Sequence, residues 1–216
     1  MLDSASMKIN GQDGVKTLIF DFGGVFMDLD IPRCIENFKK IGFDNVGEYL
    51  TSHLQSGFFG ALDRGEITPA QFRDEVRNAA ARPQLSDSQI DEAWTSMLAG
   101  IPKYKLDFAR DIKPRFNRVV LLSNINLIDW NFAVENFLRA QGFQPADLFD
   151  KCYLSFEMNI AKPDPRIFQT LLASENLNPN DAFLIDDAKV NCDAASKLGI
   201  KTYQPQPLSD WRHIFS

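Results

Sequence analysis

The sequence predicts an α/β fold in which a parallel sheet is interrupted, after its first strand, by an all-helical module. Three observations predict it. Short apolar runs at 18–20, 119–122, 152–154 and 182–185 alternate with helical patterns of about ten residues, as strands and helical crossovers of a parallel sheet do. Three of the apolar runs end in polar groups: Asp21, then Ser123-Asn124, then Asp186-Asp187. Between residues 30 and 102 helical signals occur and strand signals do not.

Taken in order, residues 1–15 are polar and small and are expected as a frayed tail. They lack the basic start and apolar stretch of a signal peptide. Residues 17–25 form the first strand, which delivers Asp21 to its tip before Gly23 and Gly24 break the pattern. Ile31, Cys34, Ile35, Phe38 and Ile41 recur at helical spacing, with Gly42 as a stop. Residues 56–60 and 63–66 read as turns. Thr68-Pro69-Ala70-Gln71 and Ser86-Asp87-Ser88-Gln89 are capping boxes that open two further helices. A helix over 104–113 stops at Pro114, and 118–122 is an apolar strand. A helix over 129–140 stops at Gly142, and 151–155 is a short strand. Asp164-Pro165 caps the next helix, and strand 182–185 is followed by a helix over 188–198 and a last strand at 200–203. Beyond residue 204 the pattern is uninformative, except that Trp211 and Phe215 are expected to pack on the core.

Composition bounds the function. Hydrophobic residues at 44% and charged residues at 24% are ordinary globular usage. A net charge of -6 argues against nucleic acid and anionic membrane as partners. No apolar run approaches the ~20 residues of a membrane span. Cys34, Cys152 and Cys192 show no metal or redox spacing and are expected as reduced thiols, which fits the cytoplasm. His53 and His213 have no partner motif. Any chemistry therefore falls to carboxylates.

In a parallel sheet the three polar strand ends converge on one edge, where ligands bind. Lys162, in Ala161-Lys162-Pro163-Asp164 ahead of a helix, joins them. Such a set suits phosphoryl transfer. A carboxylate at Asp21 can attack phosphorus. A divalent cation held by Asp21 and the Asp186-Asp187 pair would offset the repulsion between carboxylates and phosphate. Oxygen-only ligands select Mg²⁺. Ser123, Lys162 and the backbone N–H groups near Gly23 and Gly24 can grip phosphate oxygens.

The order Asp21-Phe22-Gly23-Gly24-Val25, Leu122-Ser123-Asn124, Lys162-Pro163-Asp164 and Asp186-Asp187 with Asn191 resembles the four motifs of the haloacid dehalogenase-like (HAD) hydrolases. The helical module is similar to the C1 cap of subfamily I, with Leu62-Asp63-Arg64-Gly65-Glu66-Ile67-Thr68 like its usual cap turn. Within the family, the Ser123–Asn126 motif and the Asp-Asp pair look most like bacterial phosphatases of sugar phosphates such as glucose 1-phosphate. The resemblance implies a Rossmann-like core domain at 16–29 and 103–216 and a cap domain at 30–102. It implies a Mg²⁺-dependent phosphatase of a small phosphorylated metabolite, acting as monomer or homodimer. Asp21 would be nucleophile and metal ligand, and the Gly23 carbonyl a second ligand. Ser123, Asn124, Gly24 and Lys162 would hold phosphate. Asp187 would be the inner-shell ligand, with Asp186 beside it or bound through water, and Asn191 would support that shell.

One position departs from the family. Most of its phosphatases carry an acid two residues after the nucleophile, where this chain has Gly23. General acid–base help is worth about 10²–10⁴-fold. Three readings stay open: a substrate with a good leaving group, another carboxylate such as Asp28 or Asp30 in its place, or a different activity. The alternatives are a 2-haloacid dehalogenase and a non-catalytic phosphometabolite-binding protein. In the cap, Phe58, Phe59, Arg64 and Trp94 are the first candidates to face the leaving group. The aromatics are expected mainly to pack between helices, and Arg64 to be solvated.

Overall fold

A computed structural model describes residues 9–11, 13–50, 55–206 and 209–215. Residues 1–8 and 12 of the expected tail, and His53, lie outside the described residues. The chain runs β1 (Thr17–Phe20), β2 (Asp28–Leu29), α1 (Ile31–Lys40), α2 (Gly57–Asp63), α3 (Pro69–Ala79), α4 (Asp87–Thr95), β3 (Leu98–Gly100) and α5 (Lys103–Ile112). It continues through β4 (Arg118–Ser123), α6 (Leu127–Ala133), α7 (Pro145–Leu148), β5 (Lys151–Leu154), α8 (Ser155–Met158), α9 (Pro165–Ser174), β6 (Ala182–Ile185), α10 (Lys189–Ser196) and β7 (Lys201–Tyr203).

Five strands form a parallel sheet in the order β5-β4-β1-β6-β7. Side chains alternate between its faces, so one strand feeds two cores. Leu18, Phe20, Val119, Leu121, Phe183 and Ile185 enter one hydrophobic cluster. Ile19, Val120, Leu122 and Leu184 enter the other, against Ile167, Phe168 and Leu171 of α9 and Ala195 of α10. Four β1 residues buried on both sides explain why this strand reads as a continuous apolar run.

The helices α1–α4 form an insert bracketed by β2 and β3. Both capping boxes close as the sequence predicts: Thr68 accepts from the Gln71 N–H and Ser86 from the Gln89 N–H. Phe59, at the centre of the insert, lies 5.0 Å from Trp94, 5.1 Å from Phe72 and 5.6 Å from Phe38. These rings belong to the same cluster as one face of the sheet.

Four expectations are corrected. Residues 56–60, read as a turn, fall largely within α2, because burying Phe59 and Leu62 outweighs the low helix propensity of two glycines. The helical stretch is bordered by a two-stranded antiparallel ribbon, β2 with β3, too short to show periodicity. The expected tail carries a core residue: Ile9 is fully buried, bridges Phe215, and its neighbour Asn10 donates its N–H to Ile214 O at 2.7 Å. The expected helix over 129–140 starts earlier, at Leu127, and widens into a π-helical turn over Val134–Leu138. Trp211 packs as expected, 5.2 Å from Phe20, with its indole N–H donated to Val25 O at 2.9 Å.

Candidate active site

Sheet register builds the site. Phe20 pairs with Leu121 and with Ile185, so the next residues, Asp21 and Asp186, leave adjacent strands at one level. The Asp21 N–H donates to Ile185 O at 2.9 Å. Ser123, at the end of β4, is 1% exposed. One cavity of about 90 Å³ is lined by Asp21, Gly23, Ser123, Asn124, Lys162, Asp187 and Asn191 on the sheet side. Asp63, Arg64 and Trp94 of the insert line it from the other side.

Lys162 is the hub. Its side chain is fully buried, and Nζ lies 2.9 Å from Asp21 Oδ1 and 2.7 Å from Asp186 Oδ2. Nζ also donates to Leu122 O at 2.8 Å, which uses its third hydrogen. Burial would lower its pKa, but Asp186 and Asp21 more than offset this and hold it above the usual lysine value. Asn124 positions this lysine. Its Nδ2 donates to Lys162 O and its Oδ1 accepts from the Lys162 N–H, both at 2.8 Å. Oδ1 and one Nδ2 hydrogen of Asn124, a residue expected to bind phosphate, are therefore committed to the lysine backbone.

The two acidic residues after β6 differ sharply. Asp186 is fully buried. Its Oδ1 accepts from the Ala188 N–H at 2.9 Å and Asn191 Nδ2 at 3.0 Å, and Oδ2 accepts from Asn191 at 3.1 Å besides Lys162. Asp187 is half-buried and faces the cavity. One carboxylate oxygen each of Asp21, Asp186 and Asp187 lie within 4.8 Å of one another. Burial, opposed by Lys162 and reinforced by Asp186 and Asp187, pushes Asp21 up to about 8 in the protein alone. Three acidic groups so close call for a cation, and an all-oxygen donor set fits Mg²⁺.

The two glycines have separate roles. A Cβ on Gly23 would meet Leu29 Cδ1 at 3.2 Å, so a side chain at this position would need Leu29 to give by a few tenths of an ångström. Gly24 adopts φ +73°, and a Cβ there would lie 2.1 Å from Asp187 Oδ2. Its N–H already donates to Met27 O at 2.8 Å, so the expectation that this N–H grips phosphate does not hold in this conformation. Gly24 instead lets Asp187 approach. Gly24→Ala is expected to displace Asp187 and weaken divalent-cation binding by about 10–100-fold, read by calorimetric titration with Mg²⁺.

Neither proposed stand-in for the missing acid reaches the cavity. Asp28 faces buried Lys105 at 3.4 Å, and Asp30 caps α1 by accepting from the Arg33 N–H at 3.0 Å. Besides Asp21 and Asp187, the carboxylates that line it are Asp63 and Asp129, neither of which the sequence marks as a site residue. Asn126 joins them, donating from Nδ2 to Asp63 Oδ1 at 2.9 Å and to Asp129 Oδ2 at 2.8 Å. Burial, opposed by the Asn126 amide and Arg64, raises Asp63 to about 6. The turn after α2 docks on α8: Ser155 Oγ donates to Asp63 O at 2.5 Å, and Asn159 Nδ2 to Arg64 O at 3.0 Å. Asn126 stood in a quoted motif, but no spacing could show that a residue of the insert would meet it. Phe59 packs as expected and Trp94 both packs and lines the cavity. Arg64 is paired with Glu66 at 2.7 Å as well as lining the cavity.

Comparison with known proteins places this arrangement. A family model described as haloacid dehalogenase-like hydrolase matches residues 131–204. The chain is 29% identical over 198 residues to a D-ribitol-5-phosphate phosphatase of Bacteroides thetaiotaomicron, covering 92% of this chain and 95% of that one. A HAD-family enzyme of the same organism, solved with magnesium and inorganic phosphate, is 44% identical. The match covers 94% of this chain and 100% of that one, with a TM-score of 0.88. A HAD-like hydrolase from Porphyromonas gingivalis is 31% identical, with a TM-score of 0.85, over 92% of this chain and 94% of that one.

Proposed function

This chain belongs to the haloacid dehalogenase-like hydrolase family, and from that premise we propose that it is a Mg²⁺-dependent phosphomonoester hydrolase of small phosphorylated sugars or sugar alcohols. The observation that carries the reading is the meeting of Asp21, Lys162 and Asp187 on one cavity at the sheet edge, with Asp186 buried against Lys162. A 2-haloacid dehalogenase needs no cation and would gain nothing from the Asp21 and Asp187 carboxylates placed so close.

Asp21 attacks phosphorus in line, the ester oxygen leaves with the bonding pair, and water then hydrolyses the aspartyl-phosphate. Lys162 aims Asp21 and favours its ionised form against burial, and its positive charge attracts the incoming phosphate. Ser123 lines the same cavity and donates its hydroxyl to a phosphate oxygen. Asp21, the Gly23 carbonyl and Asp187 would hold Mg²⁺, which neutralises charge on the transferring group. Asp186, with every oxygen hydrogen-bonded, supports Lys162 and Asn191 rather than reaching outward. The insert acts as a cap over residues 30–102 that excludes water from the ester.

Among the described residues no helix is long and apolar enough to cross a membrane. The three cysteines are free, which supports a reducing, cytoplasmic setting. The purified protein is expected to release phosphate from p-nitrophenyl phosphate and ribitol 5-phosphate in Mg²⁺ and to stop in EDTA, recovering on Mg²⁺ re-addition. Turnover that persists in EDTA overturns the metal-dependent reading.

A further inference from the structure

Gly23 leaves the reaction without an acid where most phosphatases of the family keep one, and four carboxylates line the cavity. Asp21 is taken as the nucleophile and Asp187 as a metal ligand, which leaves Asp63 and Asp129. Asp129 is shut away: it is 5% exposed, its Oδ2 accepts from Asn126 at 2.8 Å, and its Oδ1 is closed to solvent. Asp63 is half-buried. Its Oδ1 accepts from Asn126 Nδ2 at 2.9 Å and its main-chain O from Ser155 Oγ at 2.5 Å. Asp63 Oδ2 takes part in no hydrogen bond among the described residues and is open to solvent.

The turn that carries this carboxyl is pinned to the core. Asn126 holds the Asp63 side chain, Ser155 the Asp63 carbonyl, and Asn159 the Arg64 carbonyl at 3.0 Å. Gly65, at φ +66°, passes so close to α8 that a Cβ would lie 2.1 Å from Phe156 O. A group fixed by several such contacts keeps one place, as a proton donor must. That place is on the insert side of the cavity, whereas Asp21 comes from the sheet side. In-line displacement puts the ester oxygen on the far side of phosphorus from the nucleophile, which is toward the insert.

We propose that Asp63 is the general acid of the first transfer, giving the proton on Oδ2 to the ester oxygen as that oxygen takes the electron pair of the breaking P–O bond. The alcohol then leaves neutral and Asp63 is left as a carboxylate. In the second step Asp63 takes a proton from the water that attacks the aspartyl-phosphate, which restores the acid and frees Asp21 and inorganic phosphate. Burial, opposed by the Asn126 amide and by Arg64, holds Asp63 at about 6, where a carboxyl can both give and recover a proton near neutral pH. The other charged groups around it are Asp129, on the far side of Asn126, and Asp21, Lys162 and Asp187, which line the same cavity; its contact from α8 is the uncharged Ser155. The inference rests on the phosphomonoesterase reading and adds the residue that replaces the acid absent at Gly23.

The test measures kcat/KM, which reports the first transfer, in Mg²⁺ on ribitol 5-phosphate, phenyl phosphate and p-nitrophenyl phosphate. Nitrophenolate leaves without a proton, phenolate leaves less readily and an alkoxide needs one. The wild-type protein is expected to treat the two aryl esters within about tenfold of each other, because a proton donor flattens the dependence on the leaving group. Asp63→Asn still accepts from Asn126 but has no proton to give. It is expected to lose about 10²–10⁴-fold on ribitol 5-phosphate, less on phenyl phosphate and under about tenfold on p-nitrophenyl phosphate. The aryl esters have nearly the same shape, so a residue that only binds the alcohol would slow both alike. Equal losses on all three esters, or no loss, overturn the inference and leave the phosphatase reading intact. So does a wild-type preference for the p-nitrophenyl over the phenyl ester of about 10³-fold, the mark of a site with no acid, and that comparison needs no variant to fold. No release from any of the three by the wild-type protein overturns the phosphatase reading and this inference with it.

Discussion

Asp21→Asn is expected to abolish phosphate release, by at least about 10⁴-fold in kcat, while the protein stays folded. The substitution keeps the size of the side chain and removes its power to attack phosphorus. Without Mg²⁺ burial already pushes the Asp21 carboxyl up to about 8, so at neutral pH the substitution takes little charge from the group and thermal melting is expected near the wild-type temperature. Loss of activity together with a large fall in melting temperature would show that Asp21 matters for folding rather than chemistry. Residual turnover near the wild-type level would remove it as the nucleophile.

Lys162→Met is expected to be the most destabilising single change at the site. The lysine side chain is fully buried between Asp21 and Asp186, and each carboxylate lies within 3 Å of its ammonium group. Methionine fills a similar volume with no charge. Removing one partner of a buried ion pair costs about 3–5 kcal/mol, because the remaining charge has no compensation. Urea unfolding without metal is expected to show a loss of that size, and saturating Mg²⁺ to return part of it by supplying a cation to the same carboxylates. Turnover falls with it, since Asp21 loses the group that keeps it aimed. A Lys162→Met protein as stable as wild type without metal would mean that these carboxylates do not depend on the lysine.

Much of this site was legible because strand ends are local features. An apolar run followed by Asp21, Ser123 or Asp186 declares itself within a few residues, and a parallel sheet must gather such ends on one edge. The capping boxes at Thr68 and Ser86 were legible for the same reason, since a helix start is fixed by side chains three residues apart. What could not be read depends on contacts between distant segments. The meeting of Asp63 with Asn126 joins residues 63 positions apart. The close approach of Leu29 to Gly23 depends on how the chain turns between them. The division of labour between Asp186 and Asp187 is set by Lys162, Asn191 and the Ala188 N–H, so two identical side chains side by side in sequence end in different states. The helix α2 is not legible locally, because its glycines speak against a helix and the packing of Phe59 overrules them.

The β2–β3 ribbon has a mechanical meaning. The chain enters the insert beside the place where it leaves, with Asp28 opposite Gly100 and Leu29 opposite Leu98. Two independent tethers would let the insert slide, twist and tilt. Two tethers bonded edge to edge make a strap, stiff in its own plane and compliant only to bending across it. Such a strap would favour one direction of swing over all others. A swing of that kind would break the Asp63–Asn126 hydrogen bond, so opening the cavity and losing the tie between insert and core would be one event.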